Sequence, residues 1–186
     1  MTATHDMRDA LVAAIPNLRA FAISLCGDKT AANDLVQETL LKAWANQASF
    51  LPGSNLKAWL FTILRNSFYS ERRKAKQEVQ DVNGAAAERL VSIPEQHGQL
   101  DLKDFRAAMA KLSQDQREIL ILVGAEGLTY EEAAEICGCA VGTVKSRLNR
   151  ARARLATLMN LDSAGDLGGS AEDQAVSAGS SAAWLR

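Results

Sequence analysis

The stretch from Thr129 to Arg154, TYEEAAEICGCAVGTVKSRLNRARAR, admits few folds. Thr129 and Glu132 have the spacing of a capping box, which opens a short acidic helix. Gly138 then supplies a residue that takes a left-handed turn at little cost. The longer helix that follows carries five cations and no acid up to Arg154. That order is a helix-turn-helix, whose second helix enters the major groove of DNA. Ala133, Ala134 and Cys137 are expected to face the core, and Val144 and Leu148 to anchor the second helix from below. Val141, Gly142, Lys145, Ser146, Asn149 and Arg150 are then left outward. Lys145, Ser146, Asn149 and Arg150 have the groups that read base edges, and Thr143, Arg147, Arg152 and Arg154 the reach for phosphates.

A helix-turn-helix explains DNA binding but not its purpose, so the rest of the chain matters. With 186 residues, 47% of them hydrophobic, there is room for two small packed cores. Aromatics are few, and β-branched runs between turn residues are nearly absent, so the expected fold is all-α. The net charge of −1 hides an alternation: residues 8–77 hold ten Lys/Arg against five Asp/Glu, and residues 140–159 hold five cations without an acid. The intervening residues 78–139 are acidic. A lone charged block is no more than a solvated helix face, but two basic surfaces flanking an acidic span point to two contacts with a polyanion. Cys26, Cys137 and Cys139 make no paired framework. Cys137-x-Cys139 lacks the second ligand pair of a zinc site, so these thiols are expected to pack as small hydrophobes, with no metal and no cofactor. No apolar segment follows a basic start and no run reads as a membrane span, so a cytoplasmic protein with no membrane partner is expected.

The spacing predicts two small helical domains joined by a flexible linker: residues 8–76, a linker over 77–98, residues 99–159, and a disordered tail over 160–186. In the first domain a helix over Met7–Cys26 contains Pro16, expected either to start the main helix or to kink it. Asp28 caps a second helix running to about Asn46, with Ala32, Leu35, Val36, Leu40 and Ala43 as its buried stripe. Its other side, Asp34, Gln37, Glu38, Leu41 and Ala45, mixes acids with an exposed Leu: either a solvated face or a docking face for a basic protein. A loop with Phe50 and Leu51 breaks at Pro52-Gly53. Ser54 then caps a third helix over 55–76, with Leu56, Trp59, Leu60 and Ile63 at the core edge and Phe61, Leu64 and Phe68 widening it. Its remaining stripe, Ala58, Thr62, Arg65, Asn66, Tyr69, Arg72 and Arg73, holds groups that stack on unpaired bases, bond base edges and hold phosphates. The acidic 77–98 linker spans roughly 25 Å as a coil and about 70 Å extended. Beyond it, a helix over 100–112 and a second over 114–126, opened by a Ser113–Gln116 capping box and closed by Gly127, complete the second core with Ile119, Leu120, Leu122 and Val123. The tail, rich in Gly, Ser, Ala and acids, ends in Ala-Trp-Leu-Arg.

Three segments carry a resemblance. Asp34-Leu-Val-Gln-Glu-Thr-Leu-Leu-Lys-Ala-Trp44 resembles regions 2.1–2.2 of bacterial sigma factors, and Trp59-Leu-Phe-Thr-Ile-Leu-Arg-Asn66 resembles regions 2.3–2.4. Tyr130-Glu-Glu-Ala-Ala-Glu-Ile136 together with Val141 through Arg152 resembles region 4.2. Two domains and a short linker are similar to the extracytoplasmic-function (ECF) group. LRAFAISLCG and FLPGSNLKAWLFTILRNSFYSERRK most resemble the EcfG-type general stress-response subgroup of alphaproteobacteria. The resemblance implies that Asp34, Gln37, Glu38 and Leu41 face the β′ clamp helices of core RNA polymerase. It implies that Phe50, Leu51, Arg65, Asn66, Tyr69, Arg72 and Arg73 meet the −10 element and hold a flipped base. It implies that Thr143, Lys145, Ser146, Arg147, Asn149, Arg150 and Arg152 meet the −35 element, and that the second domain docks on the β flap. A small helical, NepR-like anti-sigma protein is a further implied partner, displaced by a phosphorylated response regulator with a sigma-like domain. Cys137, where the family more often has a large aliphatic residue, and Asn149, where some members carry an aromatic, depart from the pattern.

The main rival is a stand-alone regulator that binds an operator through the same helix-turn-helix; it leaves the first domain's two faces unexplained. A sigma-mimicking adaptor would carry an α/β receiver segment, which the sequence does not contain. Catalysis has no support, since His5 and His97 stand apart and no nucleophile–base constellation emerges.

Overall fold

The computed structural model describes residues 2–81 and 100–160, and these form two compact units. The elements run in the order α1 (Thr2–Cys26), α2 (Lys29–Ala45), a 3-10 turn (Gln47–Ser49), α3 (Leu56–Asp81), α4 (Leu100–Ala110), α5 (Gln114–Ile119), a π-helical turn (Leu120–Ala125), α6 (Tyr130–Cys137) and α7 (Val141–Leu158). No strand occurs among the described residues, in line with the all-α expectation. The linker residues 82–99 and the tail from Leu161 lie outside the described residues.

In the first unit α1, α2 and α3 pack pairwise. The core is built by Leu18, Phe21, Ala22, Leu35, Leu60, Phe61 and Leu64. Phe21 and Phe61 meet edge to face with centroids 5.0 Å apart, a geometry that adds about 0.5–1.5 kcal/mol to the area they bury. α1 runs through Pro16 rather than starting there. The missing N–H would have bonded the carbonyl of Val12, and both residues lie on the exposed side, where the loss costs less than in a core. Met7–Cys26 passes for a membrane span by length and by its mean hydropathy of 1.4, although Arg8, Asp9 and Arg19 interrupt it and, as expected, it holds no run of 18 apolar residues. Its apolar stripe, Leu11, Leu18, Phe21, Ala22 and Leu25, is buried, as in a core helix.

Two caps differ in detail. Asp28 caps α2 as expected, accepting from the Ala31 N–H at 2.8 Å. At α3 the cap is Asn55, whose side-chain oxygen accepts from Lys57 N–H at 3.0 Å and Ala58 N–H at 3.3 Å. Ser54 instead turns its hydroxyl back onto the Leu51 carbonyl at 2.7 Å. The Ser54 N–H bonds the same carbonyl, and Gly53 has φ +87°, so Leu51–Ser54 is a type II turn with Pro52 at its second position. α3 also continues to Asp81, five residues into the stretch read as linker.

The second unit is centred on α7, which packs against α4, α5 and the π-helical turn. Val144, Leu148, Ala151 and Leu155 form its buried stripe. Both expected capping boxes form: Ser113 exchanges bonds with Gln116, and Thr129 with Glu132. Ile119 and Leu122 are fully buried, whereas Leu120 and Val123 are only half-buried, because the π turn widens the helical repeat after Ile119. Ala133, Ala134 and Cys137 are buried as the spacing predicts. Gly138 has φ +62° with no atom within 4 Å of an added Cβ, so the glycine is needed for its backbone and not for room. Gly138→Ala should therefore cost about 1–2 kcal/mol of the second unit's stability, read as a lower midpoint in urea with an unchanged slope.

Candidate nucleic-acid interface

Three surfaces were expected on the two units. The first lies on α2, where Asp34, Gln37 and Leu41 are exposed and Glu38 is half-buried; Leu41 stands 71% exposed beside the half-open Trp44. A large apolar side chain thus lies in solvent one turn from Glu38 and two turns from Asp34. α2 keeps this face outward because Thr39, and not Leu40, completes its buried stripe. The Thr39 hydroxyl satisfies itself on the Leu35 carbonyl at 2.7 Å, so burial is cheap, while Leu40 stays half-buried. Glu38 is not isolated. It pairs with Lys42 one turn on, whose ammonium also donates to Ser67 of α3 at 2.8 Å. The Lys42 hydrogen bond, then one to Glu71, holds the Glu38 carboxyl below its usual range. Sharing that bond with Glu38, together with burial, pushes Glu71 up.

The second surface, on the α2–α3 side of the first unit, divides in two. At 100° per residue the stripe read as one belongs to two adjacent rows. Arg65 lies over the Tyr69 ring at 4.5 Å and Arg72 over Phe68 at 5.5 Å, so each guanidinium stands within cation–π range of an aromatic face. Asn66 and Arg73 belong to the other row and line a cavity of about 480 Å³ with Lys42, Asn46, Ser49 and Trp59. That size is ordinary for a small-molecule site. Trp59 and Ile63, expected at the core edge, are half-buried walls of this cavity, while Leu60, Phe61, Leu64 and Phe68 are buried in the core as expected. Phe50 is not free for DNA as expected from its place in the loop. It is half-buried against Trp59, with centroids 5.4 Å apart, and anchors the loop. The type II turn then holds Leu51 out, 74% exposed. Lys42, Asn46 and Trp59 went unrecognised in the sequence, and a helical wheel of α3 would have set Trp59 and Asn66 on one side.

The third surface is α7. Lys145, Ser146, Arg150 and Arg154 are exposed, and Thr143 and Asn149 half-exposed. The Ser146 hydroxyl donates to the Thr143 carbonyl at 3.0 Å, and Arg150 donates to Ser146 through Nε at 3.2 Å. The Lys145 ammonium stands 5.3 Å from the centre of the Tyr130 ring of α6. Two expected phosphate contacts do not lie on this face. Arg152 is buried, 7% exposed, and Arg147 is half-buried and ion-paired with Asp115 of α5 at 2.7 Å. Each sits about 70° from the centre of the buried stripe, on its two shoulders, so packing takes both stems.

Of the thiols, Cys137 is buried and Cys139 half-buried. Burial, with Glu71 and Asp28 nearby, pushes Cys26 up to about 11, so it stays a thiol at neutral pH.

One outcome follows for the carboxyl pair. Because Glu71 is raised, the stability it contributes is present below its ordinary range and is lost as pH rises through the raised one. Glu71→Gln keeps a donor for Glu38 without the charge. Its melting temperature relative to the unsubstituted protein should rise between pH 4 and pH 7; the gain is small because solvent screens the pair.

Comparison with known proteins matches these units separately. Residues 11–78 match the family described as Sigma-70 region 2, and residues 102–155 match Sigma-70, region 4. The chain is 60% identical to "ECF RNA polymerase sigma factor EcfG" of Rhodopseudomonas palustris over 168 residues, covering 90% of this chain and 93% of that one. It is 36% identical to the Bacillus subtilis ECF sigma factor SigM, covering 75% and 86%. Among solved structures it is similar to the sigma factor RpoE of Bartonella quintana, in complex with the anti-sigma factor NepR, with a TM-score of 0.75, 57% identity, and 85% and 99% covered. With both units matched in order and relatives this similar along their length, the chain belongs to the ECF group of the sigma-70 family of RNA polymerase sigma factors.

Proposed function

We propose that this protein binds core RNA polymerase, directs it to promoters with −35 and −10 elements, and initiates transcription of a stress regulon from the cytoplasm, where the polymerase works. The observation that carries the reading is that one chain holds two units, each with a surface suited to a different form of DNA: exposed hydrogen-bonding and cationic groups on α7, and guanidinium–ring cation–π pairs beside a cavity on α3. A stand-alone regulator needs only the first of these, and the region 2 match over residues 11–78 leaves it without support.

The domains assigned are residues 8–76 for core and −10 binding and 99–159 for −35 binding, joined by 77–98. On α2, Asp34, Gln37, Glu38 and Leu41 take the polymerase clamp. Leu41 supplies the buried anchor and the acids the complementarity to a basic partner. On α3, Arg65, Tyr69 and Arg72 stack on unpaired bases, and the Asn66–Arg73 cavity accepts a base flipped from the duplex. Unstacking costs a few kcal/mol, which stacking and edge bonds offset. Leu51, held in solvent by the turn, is the wedge, with Phe50 holding the loop. On α7, Lys145, Ser146, Asn149 and Arg150 read the −35 element, and Thr143 and Arg154 meet its phosphates. Regulation by a small helical anti-sigma protein is assigned by analogy with the Bartonella quintana complex.

Run-off transcription on a promoter-fragment library tests the whole: transcripts must require both this protein and core polymerase. Tight operator binding with no transcript would instead support the stand-alone regulator. Replacing Lys145 and Arg150 together with Gln should lower output from a −35-containing promoter about 10- to 100-fold, as expected for losing base contacts of roughly 1–3 kcal/mol, with core binding intact. Asp34→Asn with Leu41→Ala should weaken core binding about tenfold or more while circular dichroism shows the helices unchanged; native affinity in a pull-down would refute the docking face.

A further inference from the structure

α7 carries five cations, and the structure does not use them alike. Lys145, Arg150 and Arg154 are exposed on the outward side. Arg147 is turned to α5, where its guanidinium meets the Asp115 carboxylate at 2.7 Å, with the two side chains 28% and 49% exposed. Asp115 is well placed for this. It lies in the first turn of α5, within the Ser113–Gln116 capping box that fixes where that helix begins. The pair therefore ties the middle of α7 to a rigid point on a neighbouring element. Arg152, on the opposite shoulder of the buried stripe, is packed in. A partly exposed ion pair of this kind contributes little to stability. Its consequence is in which cations face a ligand.

Phosphate contacts add affinity for any sequence, whereas base-edge contacts distinguish one sequence from another. A cation released from a reading helix to the backbone raises non-specific binding and dilutes discrimination. We propose that Asp115 is a positioning residue for promoter selectivity: it withholds Arg147 from the phosphate backbone, leaving the DNA-facing side of α7 to Lys145, Ser146, Asn149 and Arg150. This rests on α7 being the −35 reader. It runs against the expectation from sequence that Arg147 is itself a phosphate contact.

The test uses holoenzyme reconstituted from the full chain and core polymerase. Binding is measured across a salt series to a promoter duplex recovered by run-off selection, and to a second duplex differing only by a scrambled −35 element. Asp115→Asn should bind the scrambled duplex about three- to tenfold more tightly at low salt. Its slope of log affinity against log salt should steepen by about 0.9, the value for one added phosphate contact, and its preference for the selected duplex should fall. Arg147→Gln should leave the slope unchanged, the double variant should match Arg147→Gln, and Asp115→Glu should restore selectivity. A purely structural role for the pair would lower binding to both duplexes with no steeper slope, and that result overturns the proposal. So does an Arg147→Gln slope shallower by about 0.9, which would make Arg147 a phosphate contact in the native protein. If the unsubstituted holoenzyme shows no preference between the duplexes, the −35 assignment itself fails, and this proposal with it. A clear preference that Asp115→Asn leaves untouched removes only the proposal.

Discussion

Burial of one apolar stripe per helix fixes the roll of that helix, and the functional surfaces are what the roll leaves outside. On α7 the stripe Val144, Leu148, Ala151 and Leu155 sets Lys145, Ser146 and Arg150 outward. On α3 Leu60, Phe61, Leu64 and Phe68 do the same for two rows, one of cation–π pairs and one lining a cavity. On α2 a buried threonine satisfied by its own backbone lets Leu41 stay in solvent. The energy at stake is the main term of folding, about 1.5–3 kcal/mol for each large apolar side chain. Hydrogen bonds and ion pairs of the polar faces are smaller and adjust to it.

Within that frame most of the functional cations are already engaged. Lys42 lies between Glu38 and Ser67, Arg65 lies over Tyr69, Arg150 bonds Ser146, Lys145 stands over Tyr130 and Arg147 is tied to Asp115. Long side chains lose rotamer freedom when they bind, so partial ordering beforehand lowers that cost. The same contacts restrict which cations reach DNA. Lys42 is notable because it joins the acidic face of α2 to the cavity wall, so groups proposed for polymerase and for DNA share one ion pair.

Much was legible in the residues. The helix-turn-helix could be placed from Thr129, Glu132 and Gly138, because capping boxes and left-handed turns are local chemistry. Asp28 and Ser113 were legible for the same reason. What was not legible is instructive. Arg147 and Arg152 look like any other cations of a basic helix, yet both fall on the shoulders of its buried stripe. Phe50 looks like an exposed loop aromatic, but Trp59 is close enough to take its ring. Asn55 rather than Ser54 caps α3 because the type II turn occupies the serine hydroxyl.

The sequence by itself determined the fold class, the order of the helices and the two basic surfaces, since these follow from periodicity, caps and composition within short windows, and three motifs carried the family resemblance. Only the tertiary structure decided which member of each surface is free to act. That choice depends on groups distant in the chain, such as Asp115 for Arg147, 32 positions away, and Ser67 for Lys42, 25 away. A side chain's reach is a local property, but its partner is a property of packing.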